Sequence, residues 1–328
     1  MKRIALCLAL VLCCVIAAAA ADTLTSGDFT YELLPDGGAE LISYTGSAEN
    51  VTIPNTLDGH PVTAVRGNPF ANRSVQSVRV AKDHPCLATI NGVLFGQSDR
   101  RLIFYPAGLT DAVYSVPDGI LEIGDRAFLG NTTLIEIRIP DSVTKIGIEA
   151  FRKCSALETI WIPDSVTELG DGSLSICENL TTVRLSESLT AIPTNFMFRC
   201  VKVTSITIPD GVISIGGSAF ERCDGLETFV IPEGVTTLGN FILVNSPGIR
   251  SVVIPASVTA IGQHCFDLGS YGSWYPNPDL VITVESGSFA ESFCLSNGIA
   301  CVTAAGADET VYGDNDSWLV DRETDGIH

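Results

Sequence analysis

The chain is 328 residues long and carries 38 Asp and Glu against 19 Lys and Arg, a net charge of −19. That excess of acid argues against a nucleic-acid partner, since phosphate backbones call for a basic face, and against docking on an anionic bilayer. With 46% hydrophobic residues, and 30 Gly and 16 Pro spread through the length, the composition excludes a disordered or collagen-like chain and calls for a packed core.

At the N-terminus, Lys2 and Arg3 precede an apolar run from Ile4 to Ile16, followed by Ala17 to Ala21 and Asp22. A charged start, an apolar middle and a small-residue cleavage site predict a secretory signal peptide over residues 1–21, cut near Ala21. The run is too short for a membrane span. Cys13 and Cys14 raise the alternative of a lipid-attached cysteine, but Leu12 stands where a lipobox has a small residue. Residues 22–44 are read as an N-terminal cap, with a hairpin around Asp36-Gly37-Gly38.

The middle of the chain repeats. Prolines that follow an aliphatic residue fall at Pro117, Pro140, Pro163, Pro209, Pro232 and Pro255, spaced 23, 23, 46, 23 and 23, with Ser186 in the vacant place. Aligning the units exposes six apolar columns. One runs Phe128, Phe151, Leu174, Met197, Phe220, Leu243 and Phe266; another runs Ile137, Ile160, Val183, Ile206, Phe229 and Val252. A lone unit cannot bury six such columns, whereas stacked coils bury like on like. The alternating stretch before each proline, such as Leu157 to Ile162, predicts a short strand, ended by a residue with no N–H to give. Successive strands then form a parallel ladder rising ~4.8 Å per coil. A glycine recurs after the last column (Gly124, Gly147, Gly170, Gly216, Gly239, Gly262), where a tight corner with positive φ is expected.

The unit Ile139-Pro140-Asp141-Ser142-Val143-Thr144-Lys145-Ile146-Gly147, with Ala150-Phe151-Arg152-Lys153-Cys154, resembles the BspA-type leucine-rich repeat. The resemblance covers about residues 45–303 and implies a mainly β solenoid with short helical or irregular turns. It also accounts for Val51-Thr52-Ile53-Pro54 as a degenerate unit, and for Asn91-Gly92-Val93-Leu94-Phe95 with Leu102 to Pro106 as an irregular hairpin-bearing repeat. After Gly269 the step lengthens from 23 to 30 residues, an insertion of seven, and Phe289 to Ile299 resembles the helix that closes such solenoids. Residues 304–328 form an acidic tail, in which Asp314-Asn315-Asp316 lacks the glycine and glutamate that would complete a calcium loop.

Chemistry is sparse. Four scattered histidines and no nucleotide, nucleophile-elbow or metalloprotease motif argue against an enzyme, and no cofactor or metal is expected. Cys154, Cys177, Cys200 and Cys223 lie one repeat apart, with parallel Cβ vectors that disfavour a relaxed disulfide. Asn131 and Ser246 share their column, so reduced, buried thiols are expected there. Cys294 and Cys301 flank a predicted helix-to-strand turn and are candidates for a disulfide.

Two binding surfaces are candidates. The residues between paired core aliphatics put Arg138, Trp161 and Arg184 in one outward column, of the residue types that dominate interface hot spots. The insertion offers Tyr271, Trp274 and Tyr275 on a loop flanked by glycine and proline. The resemblance implies a secreted or surface-associated protein that adheres to host or neighbouring-cell proteins, and a monomer is expected. A passive spacer and a glycan-binding module are the alternatives, the aromatic loop being the only support for the last.

Overall fold

The computed structural model describes residues 22–71, 74–270 and 273–304. The expected signal peptide, Tyr271 and the acidic tail beyond Ala304 lie outside the described residues.

Each 23-residue coil has three sides. The first is the expected strand: Val113–Ser115, Glu136–Arg138, Thr159–Trp161 and Thr182–Arg184 pair in parallel, with Ile137, Ile160 and Val183 in register. Those central aliphatics point into the core while their neighbours face out, as the period of two requires. The second side is a ladder of two-residue strands just after the proline: Glu122–Ile123, Lys145–Ile146 and Glu168–Leu169. Two residues are too short for an alternation to register in the sequence, so this ladder emerges only in the folded chain.

The third side is a stack of turns. Phe128 N–H donates to Ala150 O, Phe151 N–H to Ser173 O, and Leu174 N–H to Phe196 O, each bond reaching forward one coil. Two positions per coil there are left-handed. One column holds Arg126, Glu149, Gly172, Asn195, Ser218, Phe241 and His264, and the other holds Gly130, Lys153, Ile176, Arg199, Arg222 and Asn245, all with φ between 53° and 72°. Most are not glycine, although left-handed backbone costs an L-residue roughly 1–2 kcal/mol. The bonds between coils hold it there.

The recurrent glycine column corrects the sequence reading. Gly124, Gly147, Gly170, Gly216, Gly239 and Gly262 are not among the positive-φ residues. They are required by close approach instead: a Cβ on Gly216 would sit 2.6 Å from Thr194 N, and one on Gly124 would sit 2.9 Å from Leu102 O. The same glycines donate to the preceding coil, Gly147 N–H to Ile123 O and Gly170 N–H to Ile146 O. Pro193 occupies this column in the fourth of the seven units and cannot donate. There the second ladder stops at Glu168–Leu169 and restarts at Ala191–Ile192. The first ladder is interrupted one strand later, between Thr182–Arg184 and Thr228–Val230. The core is nonetheless one cluster from Val93 to Cys301, with Phe128 and Phe151 stacked at 5.3 Å.

At the N-terminal end Leu24–Ser26, Phe29–Leu33 and Ala39–Tyr44 form antiparallel hairpins. Asn50–Ile53 pairs in parallel with Ser77–Val80. Leu87–Ile90, Val93–Gly96 and Arg101–Phe104 make a meander. Its first turn, Asn91-Gly92, has φ of 50° and 84°, which glycine and asparagine tolerate best. At the other end Asp267–Ser270 and Ser273–Pro276 form a hairpin inserted between coils. The ladder then resumes with Ile254 opposite Val284, the 30-residue step. Helix Phe289–Ser296 follows, with Ser288 Oγ accepting from Glu291 N–H at 3.1 Å and Glu291 accepting from Gly287 N–H at 2.7 Å. Reciprocal bonds of this kind fix a helix start.

Candidate binding surfaces

The first ladder presents Arg138, Trp161 and Arg184 as adjacent partners on neighbouring strands. The core aliphatics between them anchor the backbone, so the column is held rigidly. Trp161 is 63% exposed. The arginines do not cover it. Arg138 Nε donates to Glu136 on its own strand at 2.7 Å, and Arg184 donates to both oxygens of Asp164 at 3.1 and 3.0 Å. Asp164 also accepts from Glu187 N–H at 3.1 Å. That bond, then the guanidinium, holds its carboxyl below the ordinary range. Among the described residues no aromatic contact involves Trp161. Beside the indole lies a shallow recess of about 370 Å³ lined by Ile135, Ile137, Ile139, Glu136, Arg138 and Thr159. Further along the ladder Val230 is 56% exposed, while Thr207 sits on a segment with no strand.

The second surface is the inserted hairpin. Its register places Tyr275 opposite Leu268 and Trp274 opposite Gly269. Tyr275 is 53% exposed and borders a groove of about 740 Å³ shared with Arg222, Asp224 and Phe241 of the preceding coils.

A family model described as the BspA type leucine-rich repeat region matches residues 100–200 and 190–303, in six copies. The chain belongs to this family. No curated protein matches it in sequence. Among solved structures it is similar to a leucine-rich repeat protein from Eubacterium ventriosum, at 24% identity and a TM-score of 0.59. That alignment covers 72% of this chain and 62% of the other, so the chain spans under two thirds of that relative. It is also matched to a leucine-rich cell surface protein of Faecalibacterium prausnitzii, at 17% identity and a TM-score of 0.26, covering 78% of this chain and 97% of that one. The pneumococcal vaccine antigen PcpA matches at 18% and 0.36, covering 76% and 53%. The first shows the fold alone, and the other two are too distant in shape to inform it.

Within this BspA-type solenoid the cysteines are structural. All eight in the described residues are buried and free. Burial pushes the Cys154 thiol up to about 12 and holds Cys177, Cys200 and Cys223 well above their ordinary value. Cys294, on the terminal helix, and Cys301, on the last strand, are buried free thiols close enough to influence each other, and burial pushes the Cys294 thiol up to about 12. Among the described residues no group of three His, Cys, Asp or Glu is placed to hold a metal ion, and no helix is long and apolar enough to cross a membrane.

The groove residues Arg222, Asp224 and Phe241 were not singled out by sequence reasoning. A signal was present for one of them. Arg199 pairs with Glu178, 21 residues earlier, at 3.1 Å, and the same step back from Arg222 reaches Val201.

Proposed function

We propose that this chain is an exported, adhesin-like interaction protein that binds a surface protein of a host or neighbouring cell through the first strand ladder. The observation that carries the reading is Trp161, 63% exposed between two arginines already neutralised by carboxylates. A large indole on a rigid strand loses little conformational entropy on binding, and its burial drives association. The ion pairs on either side place a polar rim around an apolar centre, the arrangement of an interface core. The N-terminal segment supports export, and the family resemblance supports a place outside the cell.

The experiment is capture from extracellular-matrix, mucin and bacterial-surface extracts, with Trp161→Ala run alongside and circular dichroism confirming that both proteins fold. A saturable protein partner retained by the parent and lost in Trp161→Ala supports the reading. Absence of any partner, or capture indifferent to Trp161, moves the assignment to a passive envelope spacer.

A further inference from the structure

The acids and guanidiniums on the turn side of the solenoid mostly find partners. Arg126 and Arg152 both engage Glu149, and Arg199 engages Glu178. One stretch departs from this. In the groove beside the inserted hairpin, Ser218, Glu221, Arg222 and Asp224 make no side-chain hydrogen bond among the described residues, and Asn245 uses only its Oδ1, to accept from Gly269 N–H at 2.9 Å. Arg222 and Asp224 interact by charge without a hydrogen bond, and partial desolvation holds the Asp224 carboxyl above its ordinary value. Two aromatic rings border the same space: Tyr275 from the hairpin, and Phe241, whose ring stacks on His264 at 5.7 Å and 13°.

We propose that this groove, between Tyr275 and Phe241 and the polar side chains of Ser218, Glu221, Arg222, Asp224 and Asn245, is a binding site for a neutral oligosaccharide. The chemistry of the donors selects the ligand. Carboxylates accept from hydroxyls, whereas guanidinium and amide N–H groups donate to them, so the set matches a polyol that offers both roles on adjacent carbons. The C–H face of a pyranose is apolar and suits an aromatic ring. Two carboxylates against one guanidinium, in a chain of net charge −19, repel uronates and sialic acids. The volume of about 740 Å³ lies inside the roughly 300–1,000 Å³ of small-ligand sites. In the free protein water satisfies these polar groups, and a sugar replaces that water with hydroxyls in fixed positions. The site is separate from the Trp161 surface and does not depend on it.

The test is calorimetric titration of the full chain with maltotriose, cellotriose and chitotriose, with trigalacturonic acid and sialyllactose as acidic comparators. At least one neutral trisaccharide is expected to saturate below about 10 mM, and Tyr275→Ala and Asp224→Asn, with unchanged thermal melts, each to weaken it about tenfold. Trp161→Ala is expected to leave the titration unchanged, so loss of protein capture and loss of sugar binding are read independently. The proposal is overturned if no neutral trisaccharide saturates, if an acidic comparator binds more tightly, or if both groove variants bind as the parent does.

Discussion

Cys177 Sγ donates to the carbonyl oxygen of Phe151, 26 residues earlier, at 3.1 Å. Cys154, Cys200 and Cys223 make the same bond to Phe128, Leu174 and Met197, and Ser246 Oγ makes it to Phe220 at 3.1 Å. The column therefore needs a small donor beneath a turn, and sulfur is one way to supply it. Because Ser246 already serves, Cys177→Ser is expected to cost about 1 kcal/mol or less in chemical denaturation. The native ladder thiols, buried and shifted far above ordinary cysteine, are expected to resist an aromatic disulfide reagent at pH 8 and to react fully once unfolded. Rapid labelling of the folded protein would sink the ladder as a buried structure.

The two kinds of special backbone position predict opposite responses. Lys153 is exposed at φ 60°, where a Cβ is strained and no packing is lost on its removal. Lys153→Gly is expected to stabilise by about 0.5–1 kcal/mol, the relief of left-handed strain less the entropy that glycine adds to the unfolded chain. Gly170 faces the backbone of Ile148 and Gly147 with no space for a methyl group. Gly170→Ala is expected to destabilise by at least about 1–3 kcal/mol, because backbone must move to admit it. Equal effects from the two substitutions in urea titrations would contradict this division.

That division was only half legible beforehand. The first ladder could be read because alternation and a terminating proline recur every 23 residues, and the same register put Arg138, Trp161 and Arg184 in one column. The left-handed columns have no residue signature: Arg126, Glu149, Asn195, Phe241 and His264 share a conformation and nothing else. Coil-to-coil hydrogen bonds impose it, and those belong to the stack rather than to any residue. The glycines, by contrast, were visible but misassigned, since sequence cannot distinguish a glycine that needs positive φ from one that needs room. The groove at Tyr275 depends on a hairpin packing beside earlier coils, and on partners that are missing, neither of which a local pattern records.

His84 supplies a pH dependence. Its ring is 3% exposed, Nδ1 lies 3.3 and 3.2 Å from the N–H groups of Cys86 and Leu87, and Nε2 lies 3.3 Å from Pro54 O. Two N–H groups aimed at Nδ1 require the neutral ring with its proton on Nε2, and burial lowers the folded value below the ordinary 6.5. Since the unfolded state binds the proton more readily, the contribution of His84 is fully present above pH 6.5 and is lost as pH falls below it. The slope from this group approaches at most about 1.4 kcal/mol per pH unit. Denaturation of His84→Gln is expected to show lower stability at neutral pH but a flatter decline as pH falls below 6.5. An identical slope in parent and variant would assign the decline to other groups.

Oxidation should act at the C-terminal cap and spare the ladder. Cys294, on the helix Phe289–Ser296, and Cys301, on the last strand, are both fully buried free thiols close enough to influence each other. They converge from a helix and a strand, whereas the ladder thiols stack in parallel. A mild oxidant is therefore expected to join Cys294 to Cys301 and leave Cys154, Cys177, Cys200 and Cys223 as thiols, with peptide mapping locating the link. Closing so short a loop stabilises by about 2–3 kcal/mol in the chain-entropy view, provided the native geometry accommodates the bond. The cap covers the last apolar coil, so the gain should appear as a higher Tm that a reductant reverses and that Cys301→Ser abolishes. Crosslinks among the ladder cysteines, or a Tm indifferent to reductant in the linked protein, would refute this account of the cap.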